Sequence, residues 1–177
     1  MAPDGATSIQ DLSARRYRDS MYSTRASRHI RAPRPAVYRA LLDPEAVARW
    51  RVPAGMRGQV HSFDAREGGE FRVSLHYQVP SSAGKSAGRT DTYHGHFRRL
   101  VPDELVVEVL EFEAADPALG GTMTMTTMLT DAGGGTDVLM VHEQVPDVVP
   151  AADNETGMHM ALANLAELVE AGGRTQI

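Results

Sequence analysis

The residues best able to do chemistry in this chain are its histidines and one isolated glutamate. His94 and His96 flank Gly95, so on a strand their side chains leave by the same face, and His76 lies in the preceding extended run. Three imidazoles on neighbouring strands could hold zinc. No carboxylate completes the set, and the two histidines alternate with Tyr93 and Phe97, which suit a core better. They are therefore expected on the solvent side, and no metal is expected. Glu108 sits inside an apolar run; buried, it would need a partner or a raised pKa and could serve as a general acid or base. Strand alternation favours the plainer alternative, an outward-facing carboxylate. Gly84-Lys85-Ser86 has the ending of a phosphate loop, but Val79 stands where that loop needs glycine and a strand follows where it needs a helix. Residues 81–88 read as a hairpin loop. With no nucleophile elbow and no dinucleotide fingerprint, no cofactor is expected and the balance leans away from an enzyme.

The elements that must position these groups follow from punctuation and periodicity. Residues 1–19 are polar and read as a flexible tail, leaving 20–177 as a single domain. A first strand over 21–31 ends at Ala32-Pro33. Pro35 opens a short amphipathic helix bearing Val37, Tyr38, Leu41 and Leu42, and Asp43-Pro44 caps a second that runs to Trp50. Six strand-like runs follow, at 59–67, 70–79, 90–100, 105–113, 122–130 and 136–145. Their separators are too short for parallel crossovers, so the sheet is antiparallel, with about seven strands. A helix over 151–171 closes the domain, with Met158, Ala161, Leu162, Leu165, Leu168 and Val169 as its apolar stripe and Gly172-Gly173 as its stop. The order is that of an α+β domain with helices packed on one face of an antiparallel sheet.

Several segments resemble a known family. They are IRAPRPAVYRALLDPE from Ile30 to Glu45, then Trp50 with Pro53, FDAREGGEF from Phe63 to Phe71, GHFRRLVPDELV from Gly95 to Val106, the strand from Thr136 to His142, and the helix from Gly157-Met158 through Leu165. Together they are similar to the activator of heat-shock-protein-90 ATPase family within the START-like (SRPBCC) superfamily. The resemblance covers roughly residues 20–173 and implies a helix-grip fold, in which a curved sheet wraps the C-terminal helix and leaves a cavity between them. The chain departs from the family pattern where Asn154 and Met158 stand in place of the usual histidine and tryptophan. Methionine is the more adaptable filler there, so that part of the cavity wall is expected to be softer. The eukaryotic activator resembles this chain only in its C-terminal domain. No room exists here for its further N-terminal domain, so a chaperone partner is not expected.

The cavity gives the strand faces a function. Phe71, Val73, Leu75 and Tyr77 share one face, Met123 and Met125 another, and Val138, Met140 and His142 a third. If these look at the helix, they line a pocket roofed by Met158, Leu162 and Leu165, with Trp50 near its mouth and Gly157 letting the helix backbone come close. Tyr77, Tyr93, Glu108 and His142 are the candidate polar groups. A small apolar or amphipathic molecule would be the partner. The same stripes also suit a filled core without a ligand. Some START-like relatives are aromatase/cyclases acting on a polyketide in this cavity, which keeps an enzyme as the alternative, with chaperone activation as a third.

Composition sets the outer limits. The chain has 177 residues, 42% of them hydrophobic and 23% charged, enough for one domain that buries roughly 70% of its unfolded surface. It has no cysteine, which removes disulfides, thiolate metal sites and cysteine nucleophiles and suits a cytoplasmic setting. No stretch approaches the roughly 18 apolar residues of a membrane span, so no membrane insertion is expected. A homodimer is left open. The net charge of −5 divides unevenly: residues 1–99 carry 17 Lys+Arg against 9 Asp+Glu, residues 100–177 carry 1 against 14. The basic residues are scattered, with no run and no aromatic interleaving, so nucleic acid is not an expected partner. In a helix-grip sheet the first strand lies beside the last, which would bring Arg25, Arg28 and Arg31 near Asp137 and Glu143.

Overall fold

The computed structural model describes residues 21–78 and 90–173; the expected N-terminal tail and the loop carrying Gly84-Lys85-Ser86 lie outside the described residues. Strand β1 (Met21–Ile30) is followed by helices α1 (Arg34–Leu41) and α2 (Pro44–Trp50). Strands β2 (Met56–Phe63), β3 (Glu70–Tyr77), β4 (Thr90–Val101), β5 (Leu105–Phe112), β6 (Met123–Ala132) and β7 (Gly135–Pro146) come next, and helix α3 (Ala151–Gly173) completes the order. The strands form one antiparallel sheet in the order β1-β7-β6-β5-β4-β3-β2. This is the α+β helix-grip arrangement, with about seven strands, two short helices after the first and a long terminal helix.

Local chemistry explains the joints. Pro35 lies in the first turn of α1, where a missing N–H costs nothing, and the Asp43 side chain accepts from the Glu45 N–H at 3.0 Å to cap α2. The β6–β7 turn places Gly133 and Gly134 at φ +39° and +81°, a region that disfavours a side chain. Asp103 takes φ +62° in the β4–β5 turn, where aspartate is among the residues that tolerate it. Gly172 and Gly173 are the last residues of α3 rather than a stop beyond it. β2 begins three residues before the expected run and ends at Phe63, because residues 64–67 belong to a turn that closes on Gly69 through the Arg66 carbonyl.

The core lies between the concave face of the sheet and α3. Residues paired across five strands form one rung of that face: Thr24, His142, Met125, Glu108 and Phe97 stand opposite one another in succession on β1, β7, β6, β5 and β4. All five are buried. At one end of the core, Phe71, Phe97 and Phe63 stack with centroids 5.2–6.2 Å apart. At the other end the core is incomplete.

Candidate functional site

The incomplete end is a cavity of about 340 Å³ between the sheet and the first half of α3. Its walls are largely apolar: Leu75, Leu110, Phe112, Met123, Met125 and Met140 come from the sheet, with Met158 and Ala161 above them. Its rim includes the partly exposed Pro53, Met56 and Val149 and the exposed Asp153.

Of the residues expected to form a pocket, Trp50, Leu75, Tyr77, Tyr93, Met123, Met125, Met140, His142 and Met158 line it together. Phe71, Val73, Leu162 and Leu165 are buried elsewhere in the core. Phe71 belongs to the aromatic stack. Leu162 and Leu165 lie beyond Ala161, the last cavity residue of α3; from Asn164 on, the helix binds other partners, Asn164 donating to the Trp50 and Val52 carbonyls at 3.3 and 3.1 Å and Glu170 binding Arg31. Trp50 is not an open gate: it is 1% exposed, and its indole N–H donates to the Ala40 carbonyl at 2.9 Å. Gly157 also differs from expectation. A Cβ built there meets nothing within 4 Å, so the glycine leaves room over the cavity rather than permitting a close approach.

Glu108 corrects the outward-facing expectation. It is 1% exposed on the inner rung, and both its oxygens are held by Arg51, at 3.0 Å from Nη1 and 2.7 Å from Nη2. This fork-to-fork geometry is the strongest form of ion pair a side chain can make. Burial alone would push the Arg51 guanidinium down, but the facing Glu108 carboxylate, helped by the Tyr93 oxygen, outweighs that and holds it above its ordinary value. Arg51 also lies over the Trp50 ring, 4.8 Å from the centroid. It lines the cavity, and Glu108 acts only through it. Sequence reading missed Arg51, although a buried glutamate demands a buried base and Arg51 directly follows the one tryptophan.

Three buried polar atoms have no hydrogen-bond partner among the described residues: Arg51 Nε, the Tyr93 hydroxyl and His142 Nε2. All three belong to cavity-lining side chains. Tyr93 sits beside Arg51 and Glu108 without a well-aligned bond to either. Burial raises its pKa, Arg51 opposes this and Glu108 adds to it, so it stays a neutral phenol. The His142 imidazole is pushed down to about 4, chiefly by burial, with Arg51 contributing and the Asn154 bond opposing. Its Nδ1 meets Asn154 Oδ1 at 3.2 Å, Asn154 Nδ2 donates to Thr24 Oγ1 at 2.6 Å, and Thr24 Oγ1 donates to Met158 Sδ at 3.3 Å. With the Asn154 amide in this orientation, Nδ1 carries the proton and Nε2 is left as an acceptor. Asn154 and Met158, the two departures from the family pattern, are thus both tied to His142. Tyr77 donates to Asp91 Oδ2 at 3.0 Å.

The histidine motif lies elsewhere. His94 is half-exposed and bound to Glu111 and Glu113 at 2.9 and 3.2 Å, His96 is exposed, and His76 meets Thr90 and Gln59. Among the described residues no cluster of three metal-ligating side chains forms, and no helix is long and apolar enough to cross a membrane.

Comparison with known proteins agrees with the geometry. The sequence model of the family described as "Activator of Hsp90 ATPase homolog 1-like protein" matches residues 31–170. A crystal structure of a Chromobacterium violaceum protein is 32% identical, covering 84% of this chain and 98% of that one, with a TM-score of 0.74. The solution structure of an AHSA1-like protein from Aeromonas hydrophila is 20% identical, covering 86% and 94%, with a TM-score of 0.67. The solution structure of a protein from Arthrobacter aurescens is 14% identical, covering 86% and 88%, with a TM-score of 0.71. No curated protein matches the chain.

Proposed function

Taking as premise that the chain belongs to the activator of Hsp90 ATPase homolog 1-like family, we propose that it binds a small apolar or amphipathic molecule between its sheet and α3. The observation that carries this reading is the cavity itself: about 340 Å³ of largely apolar space, half-open at its rim, between the sheet and α3. Protein interiors are close-packed, and a void of this size forfeits contacts that a filled core would keep. Its size falls at the lower end of the range used for small-molecule sites, and its mix of apolar wall and few polar groups is typical of them. The ligand contacts are assigned to Trp50, Leu75, Tyr77, Tyr93, Met123, Met125, Met140, His142 and Met158, with Arg51 added. A cyclase-like enzyme is less well supported, because Glu108, its expected acid, is committed to Arg51 and does not face the cavity.

Gly157 supplies the test. Gly157→Phe would add a Cβ that meets nothing within 4 Å and a ring that can turn into the cavity Gly157 lines, and it removes a glycine from a helix interior. The variant should keep or gain stability, by about 1 kcal/mol, while losing the site. The neutral dye N-phenyl-1-naphthylamine should bind the wild-type protein at one per chain with a blue-shifted emission and should not bind the variant. Equal dye binding by both proteins would refute the cavity as the site.

A further inference from the structure

Resting on the cavity reading above, we propose that the site selects an uncharged molecule carrying two polar groups. One is a carbonyl-type acceptor held by the Tyr93 hydroxyl and Arg51 Nε; the other is a hydroxyl or N–H that donates to His142 Nε2. The argument begins from the three buried polar atoms without a partner among the described residues. A buried donor or acceptor left unpaired costs free energy, so a ligand that pairs it gains over an isosteric one that does not.

The character of each atom follows from its surroundings. Arg51 Nε can only donate, and Nη1 and Nη2 each already give a bond to Glu108. The Tyr93 hydroxyl lies next to the guanidinium and keeps its proton, so both atoms favour one acceptor oxygen between them. At the other end, His142 offers a lone pair, because Asn154 holds its proton on Nδ1. Tyr93 and His142 stand on β4 and β7, with β5 and β6 between them. Their backbones are therefore separated by three strand spacings, about 14 Å across the strands, and by a further four residues along them, since Phe97 and not Tyr93 shares the rung of His142, which calls for polar groups at separate points of the ligand.

Charge decides the rest. Glu108 already neutralises Arg51 in a bidentate pair, so an anion placed at Nε would have no net positive charge to meet. Asp91, the buried carboxylate of the lining, accepts from Tyr77. Asp153 stands exposed at the rim, outside the buried part of the cavity. A neutral molecule is the best match.

Calorimetric titration with shape-matched probes tests this. The set is 4-hydroxybenzophenone with both groups, 4-methylbenzophenone with the ketone only, 4-benzylphenol with the hydroxyl only, diphenylmethane with neither, and 4-benzoylbenzoate as the anion. The first should bind about tenfold more tightly than either single-group probe and than the anion, with diphenylmethane weakest. Tyr93→Phe should abolish the advantage of the ketone but not of the phenol, and His142→Phe the reverse. If His142→Phe does not fold, His142→Leu serves, since it is nearer the imidazole in volume and offers no acceptor, which should remove the advantage of the phenol. Equal affinities across the set, with binding still blocked by Gly157→Phe, would overturn the selectivity and leave the cavity reading intact. No binding by any probe would remove both.

Discussion

Arg51 and Glu108 are each a liability without the other. Each would be a buried charge, and their bidentate contact makes both tolerable. Glu108→Gln should therefore lower stability by about 3–5 kcal/mol in urea denaturation, whereas the joint change of Arg51→Met with Glu108→Leu should recover most of that loss. A cost below about 1 kcal/mol for Glu108→Gln would show that the pair is solvated in solution. His142 carries a pH-dependent contribution of definite sign. Its folded pKa is about 4 against an ordinary 6.5, so between those values the unfolded chain takes up a proton that the folded ring refuses. Stability from this group is complete above pH 6.5 and falls as the pH drops toward 4, by up to about 3 kcal/mol. His142→Gln, which can keep a bond to Asn154, should lose less stability between pH 7 and 4.5 than the wild-type protein. Glu113, held below the usual carboxylate range chiefly by Arg72, is common to both proteins and cancels in the comparison. Identical losses would contradict the buried, neutral imidazole.

At the scale of elements, the parts that could be read from sequence are those where one physical rule dominates. Short separators admit only antiparallel pairing, and the seven strands pair in that way. The β6 run opens by alternating methionine with threonine, so Met123 and Met125 share a face, and that face is buried. In β5, by contrast, Leu105, Val107 and Val109 are as apolar as Val106 and Leu110, so alternation could not say which parity faces the core, and Glu108 was assigned to the wrong side. The stripe of α3 was legible, but not its division of labour: Met158 and Ala161 cover the cavity, while Leu162 and Leu165 are packed in the core. Periodicity gives the face of a helix and not what stands opposite each turn of it. Arg51 escaped for a related reason. It follows α2 outside any periodic segment, and only the three-dimensional approach of α2 to β5 reveals its role.

For the whole molecule, the basic first half and acidic second half join across the fold. Arg31 binds Glu170, Arg34 binds Asp131, Arg51 binds Glu108 and Arg72 binds Glu113, each pair linking the two halves. β1 does lie beside β7, but the partner of Asp137 is His29 at 2.7 Å, and Arg25 and Arg28 stand opposite Val141 and Val138. Apart from the buried Arg51–Glu108 pair, these are exposed pairs that contribute little each, commonly below about 1 kcal/mol, so they organise charge more than they stabilise the fold. What they remove is a concentrated positive field. Of the arginines without an ion pair among the described residues, Arg25 and Arg28 lie on the edge strand β1, Arg39 on α1, Arg49 on α2, Arg57 on the opposite edge strand β2, and Arg98 and Arg99 on the interior strand β4. Among the described residues they are scattered over five elements rather than gathered on one, unlike the row of phosphate contacts that a duplex requires. A protein making 6–10 such contacts would lose roughly three to five powers of ten in affinity between 50 and 200 mM salt. Fluorescence anisotropy with a 20-base-pair duplex should show no saturable binding at either salt concentration. Tight binding at 50 mM that collapsed at 200 mM would mean that these scattered arginines act together after all, and that the cross-fold pairs open to let them.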